Sequence, residues 1–190
     1  GRRYPWAGTV IGLLAVAGIV AILVMSPSLG IQAAPQAKTE TFTEPVGTAT
    51  SVKYSIEGSS APVSVDALKS GDELVHAVIT HRSIFNFDVS GSTQKTVRLS
   101  ESTDSSSWLN WDFTSVPTKW DISMARNIPT EIVLNGGSGS LDFNLKDIAL
   151  TSLRADLGSG ASDFTLPALK DSYEVEIDSG SGSVHVVIPD

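Results

Sequence analysis

Gly137-Ser-Gly-Ser-Leu-Asp-Phe-Asn-Leu145, Gly158-Ser-Gly-Ala-Ser-Asp-Phe-Thr-Leu166 and Gly180-Ser-Gly-Ser-Val-His-Val-Val-Ile188 state one phrase three times. The glycines recur at steps of 21 and then 22 residues, and self-similarity at a period of that size marks a stacked repeat. Around each Gly-Ser-Gly the chain alternates. After it, Leu141, Phe143 and Leu145, then Phe164 and Leu166, then Val184, Val186 and Ile188 are separated by Asp142 and Asn144, Thr165, and His185 and Val187. Before it, Leu153, Ala155 and Leu157 alternate with Arg154 and Asp156, and Tyr173, Val175 and Ile177 with Glu174, Glu176 and Asp178. A period of two puts one set inside and the other in water, as in a half-buried strand.

Two strands and a corner make a unit whose apolar face has no cover, so units must stack around a shared core. The expected fold is all-β: a β-helix-like solenoid with rungs of about 21 to 22 residues. Gly-Ser-Gly is expected at the corner of each rung, where glycine admits positive φ and spares the stack from colliding side chains. Pro167 and Pro189 follow corresponding strands and should end pairing there. Upstream, Glu73–His81, Ser83–Val89 and Lys95–Leu99 are β-rich runs bounded by Gly, Ser, Asn and Asp clusters. Nothing after residue 46 keeps a helical apolar period over three turns.

The N-terminal segment differs in kind. From Pro5 to Ala37 no residue is charged, and Val10 to Met25 contains only Val, Ile, Leu, Ala, Gly and Met. Each Val, Ile or Leu favours insertion by about 0.3 to 0.6 kcal/mol, and about 20 apolar residues cross a bilayer core of roughly 30 Å. A cleavable signal peptide is the competing reading, with Arg2-Arg3 as its basic start and Gln32-Ala33-Ala34 as its small residues. Signal cores usually run only about 7 to 15 residues, however, which favours a retained transmembrane helix.

Arg2 and Arg3 before the span, against Lys38 as the first charge after it, place the N-terminus in the cytoplasm and the rest outside. Tyr4 and Trp6 sit where an interfacial anchor belongs. Gly8 and Gly12 form a GxxxG that could pair helices, so self-association is open. Ser26 to Val46, with Pro27, Pro35 and Pro45, has too little apolar content to fold alone and reads as a tether. The expected organisation is a cytoplasmic flank at 1–6, a transmembrane helix at 7–29, an extended linker at 30–46 and an extracytoplasmic solenoid at 47–190.

Beyond the span, 11 basic residues against 21 acidic ones leave a charge of −10. Such a surface repels nucleic acid and anionic headgroups, so the expected partners are the bilayer through 7–29, a membrane protein or an envelope polysaccharide. The chain has no cysteine, which removes disulfides and thiolate metal sites.

Trp120-Asp-Ile-Ser, then Ile128-Pro-Thr-Glu-Ile-Val-Leu-Asn-Gly-Gly-Ser-Gly-Ser-Leu-Asp-Phe-Asn-Leu145, then Ile148-Ala-Leu-Thr-Ser-Leu-Arg-Ala-Asp-Leu-Gly-Ser-Gly160 and a closing Leu-Pro carry a family resemblance. Over roughly residues 70 to 190 the chain resembles bacterial toast-rack domains, found in LiaF-like cell-wall-active antibiotic response proteins and related adhesins. The resemblance implies an extracytoplasmic β-solenoid attached to the membrane, tied in some members to envelope-stress signalling. It brings no catalytic motif.

Stacking predicts outward columns of side chains. Asp142, Asp163 and His185 fall at equivalent positions, as do Arg154 with Glu176 and Asp156 with Asp178. Acidic columns could hold calcium through carboxylate oxygens, and Gly136-Gly-Ser-Gly-Ser-Leu-Asp142 loosely echoes the calcium-binding nonapeptide. Its aspartate comes one residue late and the nine-residue period is missing, so ordinary solvated strand faces are preferred and no cofactor is expected. His76 and His81 are five apart, on opposite strand faces, without metal-ligand spacing.

The chain contains no Gly-x-Ser-x-Gly elbow, HExxH or P-loop. A β-helix polysaccharide lyase is the enzyme alternative, but small rungs leave few long loops to build its groove. Trp108, Trp111 and Trp120 either fill the core at the start of the solenoid or, for Trp108 and Trp111, offer an aromatic surface to sugars or protein. The functional expectation is a non-enzymatic envelope-sensing or regulatory module, with an adhesin-like binding module for protein or polysaccharide as the alternative.

Overall fold

A computed structural model describes residues 37–58, 60–69, 71–102, 117–168 and 172–189. The strands are β1 (Lys38–Pro45), β2 (Ser51–Glu57), β3 (Val63–Ala67), β4 (Glu73–His81), β5 (Ile84–Ser90), β6 (Gln94–Ser102) and β7 (Lys119–Met124). They continue as β8 (Thr130–Asn135), β9 (Leu141–Asn144), β10 (Leu150–Leu157), β11 (Ser162–Thr165), β12 (Glu174–Ser179) and β13 (Val184–Val187). Among the described residues no helix is long and apolar enough to cross a membrane. The expected span at 7–29 lies outside those residues.

The strands form two facing sheets. One runs β1-β4-β7-β3-β9-β11-β13 and the other β12-β10-β8-β2-β6-β5. Strands β2 with β3, β8 with β9, β10 with β11 and β12 with β13 each give one member to either sheet, and their ladders to neighbouring rungs are parallel. In-register pairing turns the alternation of each strand into columns. Tyr54, Ile132, Leu153 and Val175 line one inner column, and Val65, Phe143, Phe164 and Val186 face it from the other sheet. The Phe143 and Phe164 rings pack at 5.4 Å between centroids.

The rungs do not stack in chain order. The earliest, β2 with β3, lies between β8–β9 and the level formed by β6 and β7. From β3 the chain skips a position to β4, crosses to β5, returns through β6 and sets β7 into the gap beside β3. Only then does β8 join the opposite side of β2. The rung at 51–67 is invisible as a repeat because Ala61, not glycine, occupies the position aligned with Gly139.

Close approach, not positive φ, is what the corners demand. Among the described glycines only Gly47, Gly71 and Gly91 have positive φ. A Cβ on Gly160 would fall 2.8 Å from the Gly139 carbonyl carbon, and one on Gly158 2.8 Å from that of Gly137. Each corner rests on the backbone of the next, leaving no room for a side chain.

The two ends of the stack differ. At one, antiparallel β4, β5 and β1 fold over the core, and Phe85 meets the fully buried Trp120 edge-on at 4.9 Å, with Phe42 5.3 Å beyond it. Trp120 thus fills the core. Trp108 and Trp111 lie outside the described residues. At the other end, β12 and β13 are the outermost strands among the described residues.

Candidate functional site

Parallel pairing places the predicted outward residues in register. On one sheet Asp163 stands between Asp142 and His185, and Ser64 and Asp121 continue the column. The His185 Nδ1 lies 3.4 Å from Asp163 Oδ1, both side chains largely in water. On the other sheet Arg154 donates to Glu176 at 2.7 Å. Asp156 sits between Asp178 and Asn135, with Glu57 beyond. These carboxylates are exposed and about 4.8 Å apart from strand to strand. Calcium needs about six to eight oxygens near 2.4 Å, and among the described residues no three His, Cys, Asp or Glu are grouped to hold a metal ion.

The inward-facing polar groups are the ones the sequence conceals. His81 is buried, with Nδ1 2.6 Å from the Ser83 carbonyl oxygen and Nε2 2.7 Å from Glu40 Oε2. Burial by itself would raise the Glu40 carboxyl, but hydrogen bonds from Lys38 and His81 hold it below its ordinary value. Lys95 occupies an inward position beside Val52, and its ammonium donates to Glu44 Oε1 at 2.6 Å and to the Pro45 carbonyl at 2.8 Å. Tyr54 donates to the Leu74 carbonyl at 2.7 Å, and burial pushes its phenol well up. These contacts tie β1 and β4 to the core.

At the end of the strands remote from the Gly-Ser-Gly corners lies a polar trough of about 540 Å³. Asp66, Lys69, Arg126, Asn144, Lys146 and Asp147 are among the residues that line it, with Ala67 and Leu68. Asn144 donates to Asp66 at 2.8 Å, and an Arg126 terminal nitrogen stands 3.6 Å from Asp147. The three basic residues follow β3, β7 and β9, so each comes from a different rung. No local spacing in the sequence announces them; the pairing of β3 with β7 and β9 does.

Residues 32–187 match the family described as the N-terminal domain of toast_rack, DUF2154. The chain belongs to the toast-rack family. A search of curated proteins finds no match. Among solved structures, the toast-rack fold here is similar to a "putative cell adhesion protein" from Clostridium sporogenes ATCC 15579, at a TM-score of 0.60 and 15% identity. That similarity covers 81% of this chain and all of the other. At such identity the likeness is one of fold.

Proposed function

We propose that this toast-rack protein is a membrane-anchored, extracytoplasmic, non-enzymatic module that senses or regulates the state of a bacterial cell envelope. The observation that carries the reading is contiguity. The family match starts at residue 32, inside the uncharged run from Pro5 to Ala37, and β1 begins at Lys38, the first charge after that run. A rack held that close to a bilayer is placed to touch neighbouring membrane proteins. Crosslinking the full chain in its native membrane and identifying its partners tests this. Recovery of a membrane protein, lost when residues 7–29 are replaced, is expected; recovery of lipid and the chain itself alone would overturn it.

The trough, where Lys69, Arg126 and Lys146 stand with Asp66 and Asp147, favours a second reading, an adhesin-like module for protein or polysaccharide. The likeness of fold to the Clostridium sporogenes cell adhesion protein supports it. A glycan array probed with the full chain separates the two, because adhesion requires binding that survives loss of the apolar segment.

A further inference from the structure

Lys69, Arg126 and Lys146 each stand two residues past the end of a strand, after β3, β7 and β9 respectively. In the sheet these strands are consecutive, in the order β7-β3-β9, so the three cations occupy successive steps about 4.8 Å apart. All three line the trough of about 540 Å³. A hollow of about 350 Å³ before β4 and another of about 280 Å³ after β11 adjoin it, and Arg126 borders each of them. Together they make a furrow that runs along the stack, across the ends of β4, β7, β3, β9 and β11.

Like charges on neighbouring strands repel each other, and the fold answers these only in part. Arg126 donates through Nε to the Leu68 carbonyl and stands 3.6 Å from Asp147, and Asp66 accepts from Asn144 at 2.8 Å. Lys69 and Lys146 are exposed, and neither has a hydrogen-bond or ion-pair partner among the described residues. Two unanswered cations beside a fixed carboxylate suit an oxyanion whose neighbours are hydrogen-bond donors.

We propose that the trough binds an extended anionic glycan laid along the stack, with Lys69, Arg126 and Lys146 on its carboxylates or phosphates and Asp66 accepting from its hydroxyls. The site rests on the adhesin-like reading and narrows its ligand to one class. A glycan fits better than an acidic peptide, because the furrow crosses strand ends and offers no backbone edge for a peptide to pair with. Ionised Asp and Glu side chains also bring acceptors alone, which would set them against Asp66. Lysine is a point charge and does not select a planar carboxylate over a tetrahedral phosphate, so both kinds of acidic glycan belong to the class.

Charge elsewhere confines the ligand to this furrow. The chain has a formal net charge of −8, so the field of the remaining surface turns a polyanion away. Asp72 and Glu73 line the hollow before β4. The acidic groups of the ligand therefore lie over β7, β3 and β9, with uncharged sugar over that hollow.

Binding of the purified full chain in detergent to immobilised polygalacturonate, phosphomannan, neutral dextran and poly-glutamate tests the site. At least one acidic glycan is expected to bind at least tenfold more tightly than both dextran and poly-glutamate, and which one does so names the acid. Lys69→Glu and Lys146→Glu should each weaken that binding at least fivefold, while Lys119→Glu, the same change at the corner end of β7, should alter it less than twofold. Lys69→Gln and Lys146→Gln replace them if a reversed charge lowers the strand signal. Asp66→Ala separates hydrogen bonding from charge: it should weaken binding at least threefold, where charge alone would strengthen it. An equal loss in Lys119→Glu, poly-glutamate bound as tightly as the glycans, tighter binding by Asp66→Ala, or no binding of either acidic glycan would each overturn the site. The adhesin-like reading fails separately: a glycan or protein bound equally by the native chain and the Lys69→Glu, Lys146→Glu double variant keeps that reading and overturns only this site.

Discussion

Gly139 lies against the backbone of Ala61, so closely that a Cβ on it would stand 2.7 Å from the Ala61 carbonyl carbon. This contact joins two segments 78 positions apart and seats the β8–β9 rung on the β2–β3 rung. Gly139→Ala must push backbone away from backbone. It is expected to cost about 3 kcal/mol, or roughly 6 to 12 °C in Tm. Gly58→Ala is the control, since its nearest neighbours would be 3.7 and 3.8 Å away, ordinary contact. Equal melting temperatures for the two variants would refute the corner packing.

Glu40, hydrogen-bonded by His81, supplies a pH dependence of known sign. The Glu40 carboxyl is held below its ordinary value of 4.5 in the folded state. Its contribution is therefore complete above that value and fades as pH falls through the lowered folded one. Urea midpoints measured from pH 6 down to pH 3 should fall more steeply for the native chain than for Glu40→Gln. His81→Ala should cost about 2 kcal/mol at pH 7 by stranding its partners.

The Lys95–Glu44 pair should be sensitive to loss of either partner. Its ammonium is buried between Glu44 and the Pro45 carbonyl, and losing one member of a buried pair typically costs about 3 to 5 kcal/mol. Lys95→Ala and Glu44→Ala are each expected near the lower end of that range, because Glu44 keeps partial solvent access. The double variant should cost less than the sum. A strictly additive double-mutant cycle would show that the pair does not hold β1 to β6.

The outward aspartates should behave as solvated surface. Asp142→Ala and Asp163→Ala are expected within about 0.5 kcal/mol of the native chain. Millimolar calcium, compared with chelator, should move Tm by less than about 1 °C. A rise of several degrees, lost in Asp163→Ala, would instead assign calcium to the column.

Much of this fold was legible. The alternation of Leu141, Phe143 and Leu145, and of Leu153, Ala155 and Leu157, is local, so strands β9 and β10, their inward faces and the outward places of Asp142 and Asp156 could be read directly. The corner was legible in position, and of its two expected causes the clash along the stack holds while positive φ does not. The polar trough was not legible, because Lys69, Arg126 and Lys146 meet only through strand pairing.

Period and alternation along the chain thus determined an all-β stack and which side chains point inward, because those properties need only near neighbours. Tertiary structure alone decided the order of the rungs. Parallel ladders join strands far apart in the chain, and any rung with an apolar inner face competes for the same neighbour, so nothing local says that β2 sits beside β8. Global packing also decided that β1, β4 and β5, which precede most of the repeats in sequence, stack at the end remote from β12 and β13.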